Sequence, residues 1–179
     1  MRRIHSLLEE RATSTPDAVF LFEPAGTKTY AALQAMVDVA VQDLLAAGVR
    51  PTDRVVLVAE NCAAHIALLM ACSRVGAWSC GVNARMSPGE IAAIVERADA
   101  RVCCFTAAAS EAAEKHAQRA GATPAALGGV MRSAVRAEAR TEPDPALADT
   151  AAIIFTSGTS RSPRARTWAS ATASMPSCR

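Results

Sequence analysis

Residues 54–82, RVVLVAENCAAHIALLMACSRVGAWSCGV, decide the fold of this chain. The run from Arg54 to Ala59 is apolar after its first residue and rich in β-branched side chains, which is typical of a parallel strand covered on both faces. Asn61 is a suitable N-cap for a helix over 62–75, and Gly76 is a suitable residue to end it. A second strand over 77–82 then completes a predicted βαβ unit.

The same alternation of helix and strand continues on both sides of this unit. Upstream, apolar residues from Leu33 to Leu45 recur at helical spacing, and Thr29 is placed as their N-cap. Downstream, Ser87 and Glu90 have the spacing of a capping box for a helix to about Ala98, and residues 101–105 predict a further buried strand. We therefore predict an α/β fold with a mostly parallel sheet and helices on both faces, with ligands bound at the carboxyl ends of the strands.

Composition and charge exclude several classes of protein. The 19 basic and 17 acidic residues give a net charge of +2, so no global charge favours nucleic acid or an anionic membrane as a partner. The most apolar stretch, Cys62 to Val75, is shorter than the roughly 20 residues of a membrane span. Glu9 and Glu10 interrupt the N-terminal segment where a secretion signal would be apolar. We expect a cytoplasmic protein without a membrane span.

The cysteines and histidines give no metal or catalytic motif. No pair of the six cysteines has the two-residue spacing of a zinc or redox site, so we interpret five of them as small core residues, in a reducing compartment. His5, His65 and His116 fall on three different predicted helices, which favours structural roles. We assign no catalytic residue and no metal ligand.

The last predicted strand, over 150–155, runs into Thr156-Ser157-Gly158-Thr159-Ser160. Hydroxyls, backbone N–H groups and a glycine on a turn suit phosphate oxygens, and Arg161, Arg164 and Arg166 supply positive charge nearby. The alternative is an ordinary turn whose hydroxyls bond their own backbone. Neither a Walker-type loop nor a glycine-rich dinucleotide motif is present.

Residues 153–165, IIFTSGTSRSPRA, resemble the phosphate-binding signature of the adenylate-forming superfamily, Thr-Ser-Gly-Thr-Thr-Gly-x-Pro-Lys-Gly. Thr156, Ser157, Gly158, Thr159 and Pro163 match, and Ser160 keeps the hydroxyl of a threonine. Further segments resemble the same family in the same order, so the resemblance covers about residues 4 to 165. These segments begin at Leu7, Thr15, Thr29, Gly48, Asn61 and Val82.

The resemblance implies an incomplete N-terminal part of the adenylate-forming fold. The family activates a carboxylic acid with ATP, forming an acyl-adenylate and pyrophosphate, and usually transfers the acyl group to coenzyme A. It implies that Thr156, Ser157, Gly158, Thr159, Ser160 and Arg164 bind the ATP phosphates with Mg²⁺. The small carboxylic acid substrate would bind to later motifs of the family, which also supply a mobile C-terminal domain with a catalytic lysine.

The sequence departs from the family where the signature ends. Arg161 and Ala165 replace glycines, and Arg164 replaces lysine, which puts phosphate binding in doubt. We divide the chain into a partial AMP-binding domain, 1–163, and a tail, 164–179, without family likeness or strand periodicity. Our hypothesis for the tail is a shifted reading frame at or near the junction of Pro163 and Arg164, and the alternative is a genuine short disordered terminus. There are two alternatives to an active ligase. The chain is an inactive remnant, or it is one half of a split enzyme with a complementing second half.

Overall fold

The computed structural model describes residues 3–24, 26–156 and 164–169, with Thr156 and 164–169 described by their backbone alone. The helices are α1 Ile4–Ser14, α2 Tyr30–Ala46, α3 Ala63–Val75, α4 Pro88–Ala98 and α5 Glu111–Arg119. The strands are β1 Val19–Glu23, β2 Gly26–Thr29, β3 Arg54–Ala59, β4 Trp78–Asn83, β5 Val102–Phe105, β6 Thr123–Pro124, β7 Met131–Arg132, β8 Thr150–Thr156 and β9 Arg164–Ala169.

The main sheet has the strand order β6-β7-β5-β3-β4-β8-β9, and β1 pairs with β2 in a separate hairpin. Strands β5, β3, β4 and β8 are parallel, whereas β6, β7 and β9 pair antiparallel at the two ends of the sheet. Strand β3 is central, as its unbroken apolar run predicts, with Val56 opposite Cys80 of β4 and Cys103 of β5. The predicted α/β fold with a mostly parallel sheet is confirmed.

Helices cover both faces of this sheet and form two apolar cores. Alternate residues of β3 point to opposite faces, so Val55 and Leu57 pack with α2 and α3, while Val56 and Val58 pack with residues of α4 and α5. All four of these β3 side chains are fully buried. Burial on two faces is why the strand shows no alternation of apolar and polar residues.

Local capping signals in the sequence predict most helix ends correctly. The Ala32 N–H donates to Thr29 Oγ1 at 3.2 Å, and Gly76 ends α3 in the left-handed region at φ 77°. Ser87 and Glu90 form both hydrogen bonds of the predicted capping box. The start of α3 differs from the prediction: Cys62 is its N-cap residue, not Asn61. The carboxylate of Glu23, on the β1–β2 hairpin, accepts from Ala63 N–H at 2.7 Å.

Four strands lie where the sequence gives no strand pattern: β2, β6, β7 and β9. The backbone of residues 164–169 pairs antiparallel with β8, although this segment has no strand periodicity. The unpaired edge of β8 explains this, because backbone N–H and C=O groups accept a partner strand whatever side chains it carries.

A buried ion pair joins the amino ends of β3 and β5. Asp53 is fully buried and Arg101 is 7% exposed, and the guanidinium donates to both carboxylate oxygens at 3.1 Å. Arg101 also donates to the carbonyls of Arg136, Ala137 and Ala139 at 2.6–2.9 Å. The pair therefore ties the segment that follows β7 to the sheet.

Arg101→Met should lower the free energy of unfolding by about 3–5 kcal/mol, because it leaves the Asp53 carboxylate buried without its cation. Urea denaturation followed by circular dichroism measures this. Lys115→Met is the matched control, since Lys115 pairs with Glu111 on an exposed face of α5 and its loss should change stability little. Equal stability of the two variants would show that the buried pair is not required.

Candidate nucleotide site

The carboxyl ends of β3, β4, β5 and β8 lie at one edge of the sheet, because these strands are parallel. Glu60 and Asn61 follow β3, Ala84 and Arg85 follow β4, and Thr106 follows β5. The predicted phosphate-binding sequence begins at the last residue of β8. The fold thus brings the backbone of Thr156, the first residue of this sequence, to the edge where ligands of parallel α/β sheets bind.

Strand β8 is held by β4 and by β9. Ala152 lies opposite Ser79 and Ile153 opposite Cys80, and Ser79 Oγ donates to the Ala151 carbonyl at 3.3 Å. Ile153 is buried in the core shared with α4 and α5, whereas Ile154 on the opposite face is 46% exposed. Packing on one face and the ladder with β4 therefore hold the middle of β8 against the sheet.

The structure brings together the backbones of two predicted site residues. Thr156 lies opposite Arg164 in the β8–β9 register, so the residues between them connect two antiparallel strands. Ser157, Gly158, Thr159 and Ser160 lie outside the described residues, and the side chains of Thr156 and Arg164 are not described. Phosphate binding by these six residues stays a prediction.

A cavity of about 720 Å³ lies beside β8 at this edge. Ala152, Ile153 and Ile154 line it on one side, and the residues on the other include Glu60, Asn61, His65, Asn83 and Arg85. Because the cavity borders the strand that leads into the predicted phosphate loop, its polar residues belong to the same candidate site.

An ion pair crosses this edge of the sheet and was not predicted. Arg85 Nε donates to Glu60 Oε1 at 2.6 Å, and the Arg85 N–H donates to Asn83 Oδ1 at 2.9 Å. The hydrogen bond to Glu60 and the charge of its carboxylate raise the pKa of Arg85. Glu60 directly follows the predicted strand over 54–59, and Arg85 lies three residues after the predicted strand over 77–82, so their position near strand ends was the available signal. Their pairing depends on the adjacency of β3 and β4.

The three histidines lie on three different helices, as predicted. His65 on α3 is half-buried beside the cavity, and burial lowers its pKa. Burial is also the main reason that the pKa of His5 is lowered, and its Nδ1 lies 3.0 Å from Ser73 Oγ. His116 is buried on α5, with Nε2 3.1 Å from the Ala84 carbonyl. The three imidazoles do not form a common catalytic group.

The cysteines of the described residues are core residues, which confirms the prediction. Five are buried as free thiols: Cys62, Cys72, Cys80, Cys103 and Cys104. Burial raises the pKa of Cys72 and of Cys80 to about 12 and that of Cys103 to about 11. Among the described residues, no group of three or more His, Cys, Asp or Glu side chains could hold a metal ion.

The sequence matches the family model for AMP-binding enzymes over residues 8–164. The chain belongs to the AMP-binding enzyme family. This confirms the resemblance to adenylate-forming enzymes, and the match ends at Arg164, the first residue of β9. No helix in the described part of the chain is long and apolar enough to cross a membrane.

A curated relative is 2-hydroxy-7-methoxy-5-methyl-1-naphthoate–CoA ligase of Streptomyces carzinostaticus. It is 33% identical to this chain over 99 residues, which are 55% of this chain and 18% of the ligase. The matched region is therefore about a fifth of the length of that enzyme.

Solved structures share the fold. The N-terminal domain of FACL13 from Mycobacterium tuberculosis has a TM-score of 0.71 at 21% identity, covering 94% of this chain and 44% of that one. A fatty acyl CoA synthetase of the same organism has a TM-score of 0.68 at 21% identity, covering 93% and 34%. This chain thus spans less than half the length of each.

The buried thiols of α3, β4 and β5 should resist alkylation. At pH 8 the raised pKa values leave almost no thiolate at Cys72 and Cys80, and folding also blocks the reagent. Iodoacetamide labelling, read by peptide mass spectrometry, should leave these two cysteines unmodified in the native chain. In about 6 M guanidinium both should be alkylated at the rate of an exposed thiol with an ordinary pKa. Rapid native labelling of Cys72 would contradict the described core.

Proposed function

We propose that this chain carries the phosphate-binding part of an enzyme that activates a carboxylic acid with ATP, giving an acyl-adenylate and pyrophosphate. One observation carries the proposal: the signature-like sequence from Thr156 follows β8 at the carboxyl edge of a parallel sheet, within the region that matches the AMP-binding family. Coenzyme A is the proposed acceptor of the acyl group. Because ATP and coenzyme A are cellular co-substrates, we expect the protein in the cytoplasm.

The loop residues have separate proposed roles. The hydroxyls of Thr156, Ser157, Thr159 and Ser160 would donate to the β- and γ-phosphates, and Gly158 would let the backbone approach them. Arg164 would neutralise part of the phosphate charge. These interactions would orient ATP and stabilise charge as pyrophosphate leaves.

Mg²⁺ would enter bound to the phosphates of ATP. The described residues offer no cluster of three or more metal-binding side chains, and Mg²⁺ typically binds through substrate phosphates with one or two carboxylates. The bound ion would supply charge neutralisation between the phosphates. This chain's own contribution is the donor loop and the cation of Arg164.

The relatives suggest which acid to test first. The Streptomyces carzinostaticus relative is named as a ligase of a substituted naphthoate with CoA, so an aromatic carboxylic acid is the first substrate class proposed here.

Thr159→Ala should weaken binding of Mg²⁺–ATP by tenfold or more, because a hydrogen bond to a charged phosphate contributes about 1.5–3 kcal/mol. Isothermal titration calorimetry with the full chain measures the dissociation constant. Ser162→Ala is the matched control, since Ser162 lies in the same connection but outside the proposed phosphate contacts. Equal affinities of the two variants would contradict the assigned role of Thr159.

A triple variant tests the departures from the family signature. Arg161→Gly, Arg164→Lys and Ala165→Gly together restore the family residues and should strengthen ATP binding, because glycine frees the turn and lysine restores a compact cation. If neither the native chain nor the triple variant binds ATP at millimolar concentration, the chain does not bind nucleotide by itself.

A second candidate is that the chain acts together with a separate polypeptide that completes the domain. Two observations favour it: the cavity beside β8 exposes Ile154, and the relatives are more than twice as long as the matched region. Pyrophosphate exchange measured with the chain alone, and again after co-expression with the later region of a longer relative, separates the two candidates. Exchange that appears only in the mixture supports a complementing half.

A further inference from the structure

A second cavity, of about 760 Å³, lies beneath the β1–β2 hairpin. It is bounded by the hairpin, the first turn of α3 and the segments that follow β5 and precede β7. It shares only Asn61 and His65 with the lining of the cavity beside β8. The residues that matter for its chemistry are Leu21, Phe22, Glu23, Lys28, Met36 and Thr106.

Thr106 supplies an unused hydroxyl at the floor of this cavity. The residue is fully buried, and its Oγ1 has no hydrogen-bond partner. Its backbone N–H is satisfied by the Val58 carbonyl at 3.2 Å, so the side chain alone is left unpaired. A buried hydroxyl without a partner costs free energy, and a polar ligand atom in the cavity would remove that cost.

One charged side chain in the lining of the cavity lacks a partner. Lys28 is half-buried, and its ammonium group makes no ion pair or hydrogen bond within the part of the chain that the structure describes, although its backbone pairs with Leu21 in the hairpin. Glu23 is the one carboxylate among the described residues of the lining, and it accepts from Ala63 N–H at 2.7 Å at the start of α3, where the helix dipole favours negative charge.

The walls between these polar groups are apolar. Leu21 and Phe22 line one side, and Met36 and Ile66 line another. Phe22 is 79% exposed, so a ligand that covered it would remove a large apolar surface from water. The volume falls within the roughly 300–1,000 Å³ of small-molecule sites.

We propose that the cavity beneath the β1–β2 hairpin is a ligand site, separate from the phosphate loop, for an organic acid with an apolar body. The carboxylate pairs with Lys28 and hydrogen-bonds the Thr106 hydroxyl, and the apolar body packs against Phe22 and Met36. No bond is made or broken at this site.

The first test titrates the full chain with 1-naphthoate in the absence of nucleotide, by isothermal titration calorimetry. Lys28→Met keeps the apolar stem of the side chain and removes its charge, so it should weaken binding about tenfold. Lys115→Met, far along the chain on an exposed face of α5, should bind as the native chain does. 1-Naphthylmethylamine, which has the opposite charge, should not bind.

The second test uses Thr106→Val, which replaces the hydroxyl by a methyl group of similar size. Because Oγ1 has no partner in the free protein, this variant should be at least as stable as the native chain in thermal unfolding, yet bind 1-naphthoate several-fold more weakly. A residue with only a structural role would change stability and not affinity.

Three results would overturn the proposal: no saturable binding of 1-naphthoate to the native chain, unchanged affinity in Lys28→Met, or equal binding of the amine. Because these assays contain no ATP, they are independent of whether the phosphate loop binds nucleotide.

Discussion

The structure depends on the buried ion pair between Asp53 and Arg101. Removing both charges from water is costly, and the cost is offset only when each polar atom finds a partner. Here the guanidinium donates to two carboxylate oxygens and three carbonyls, and Asp53 Oδ2 also accepts from Arg50 N–H at 2.7 Å. The network therefore fixes the relative positions of β3, β5 and residues 136–139 at the amino edge of the sheet.

The hydrogen bonds at the amino edge of the sheet also guide the chain between β7 and β8. After β7 the chain runs along the amino ends of the strands, where Arg140 N–H donates to Asp99 at 3.0 Å and lowers the pKa of that carboxylate. Glu142 N–H donates to Thr52 Oγ1 at 3.1 Å. The chain then enters β8 at Thr150, beside β4 and parallel to it. Interactions at one end of the sheet thus help to place β8, which ends with Thr156 at the other end of the sheet.

The sequence predicts the elements whose signals are local. The central strand, the capping box at Ser87 and the helix end at Gly76 depend on neighbouring residues, and the structure has all three. The contact between Glu23 and Ala63, and the pair Asp53–Arg101, join residues 40 and 48 positions apart, so no local pattern reveals them. The same limit applies to the site. Its loop is recognised by resemblance, whereas the Glu60–Arg85 pair requires the knowledge that β3 and β4 are neighbours.

Two departures from the family signature, Arg164 and Arg161, differ in their position relative to the paired strands β8 and β9. Pairing begins with Thr156 opposite Arg164, whatever side chains β9 carries. Arg164 in place of lysine therefore changes the cationic group at a described backbone position. Arg161 in place of glycine lies outside the described residues, and it removes the conformational freedom that glycine gives at this position of the family signature. The second departure is therefore the more serious one for the proposed phosphate binding.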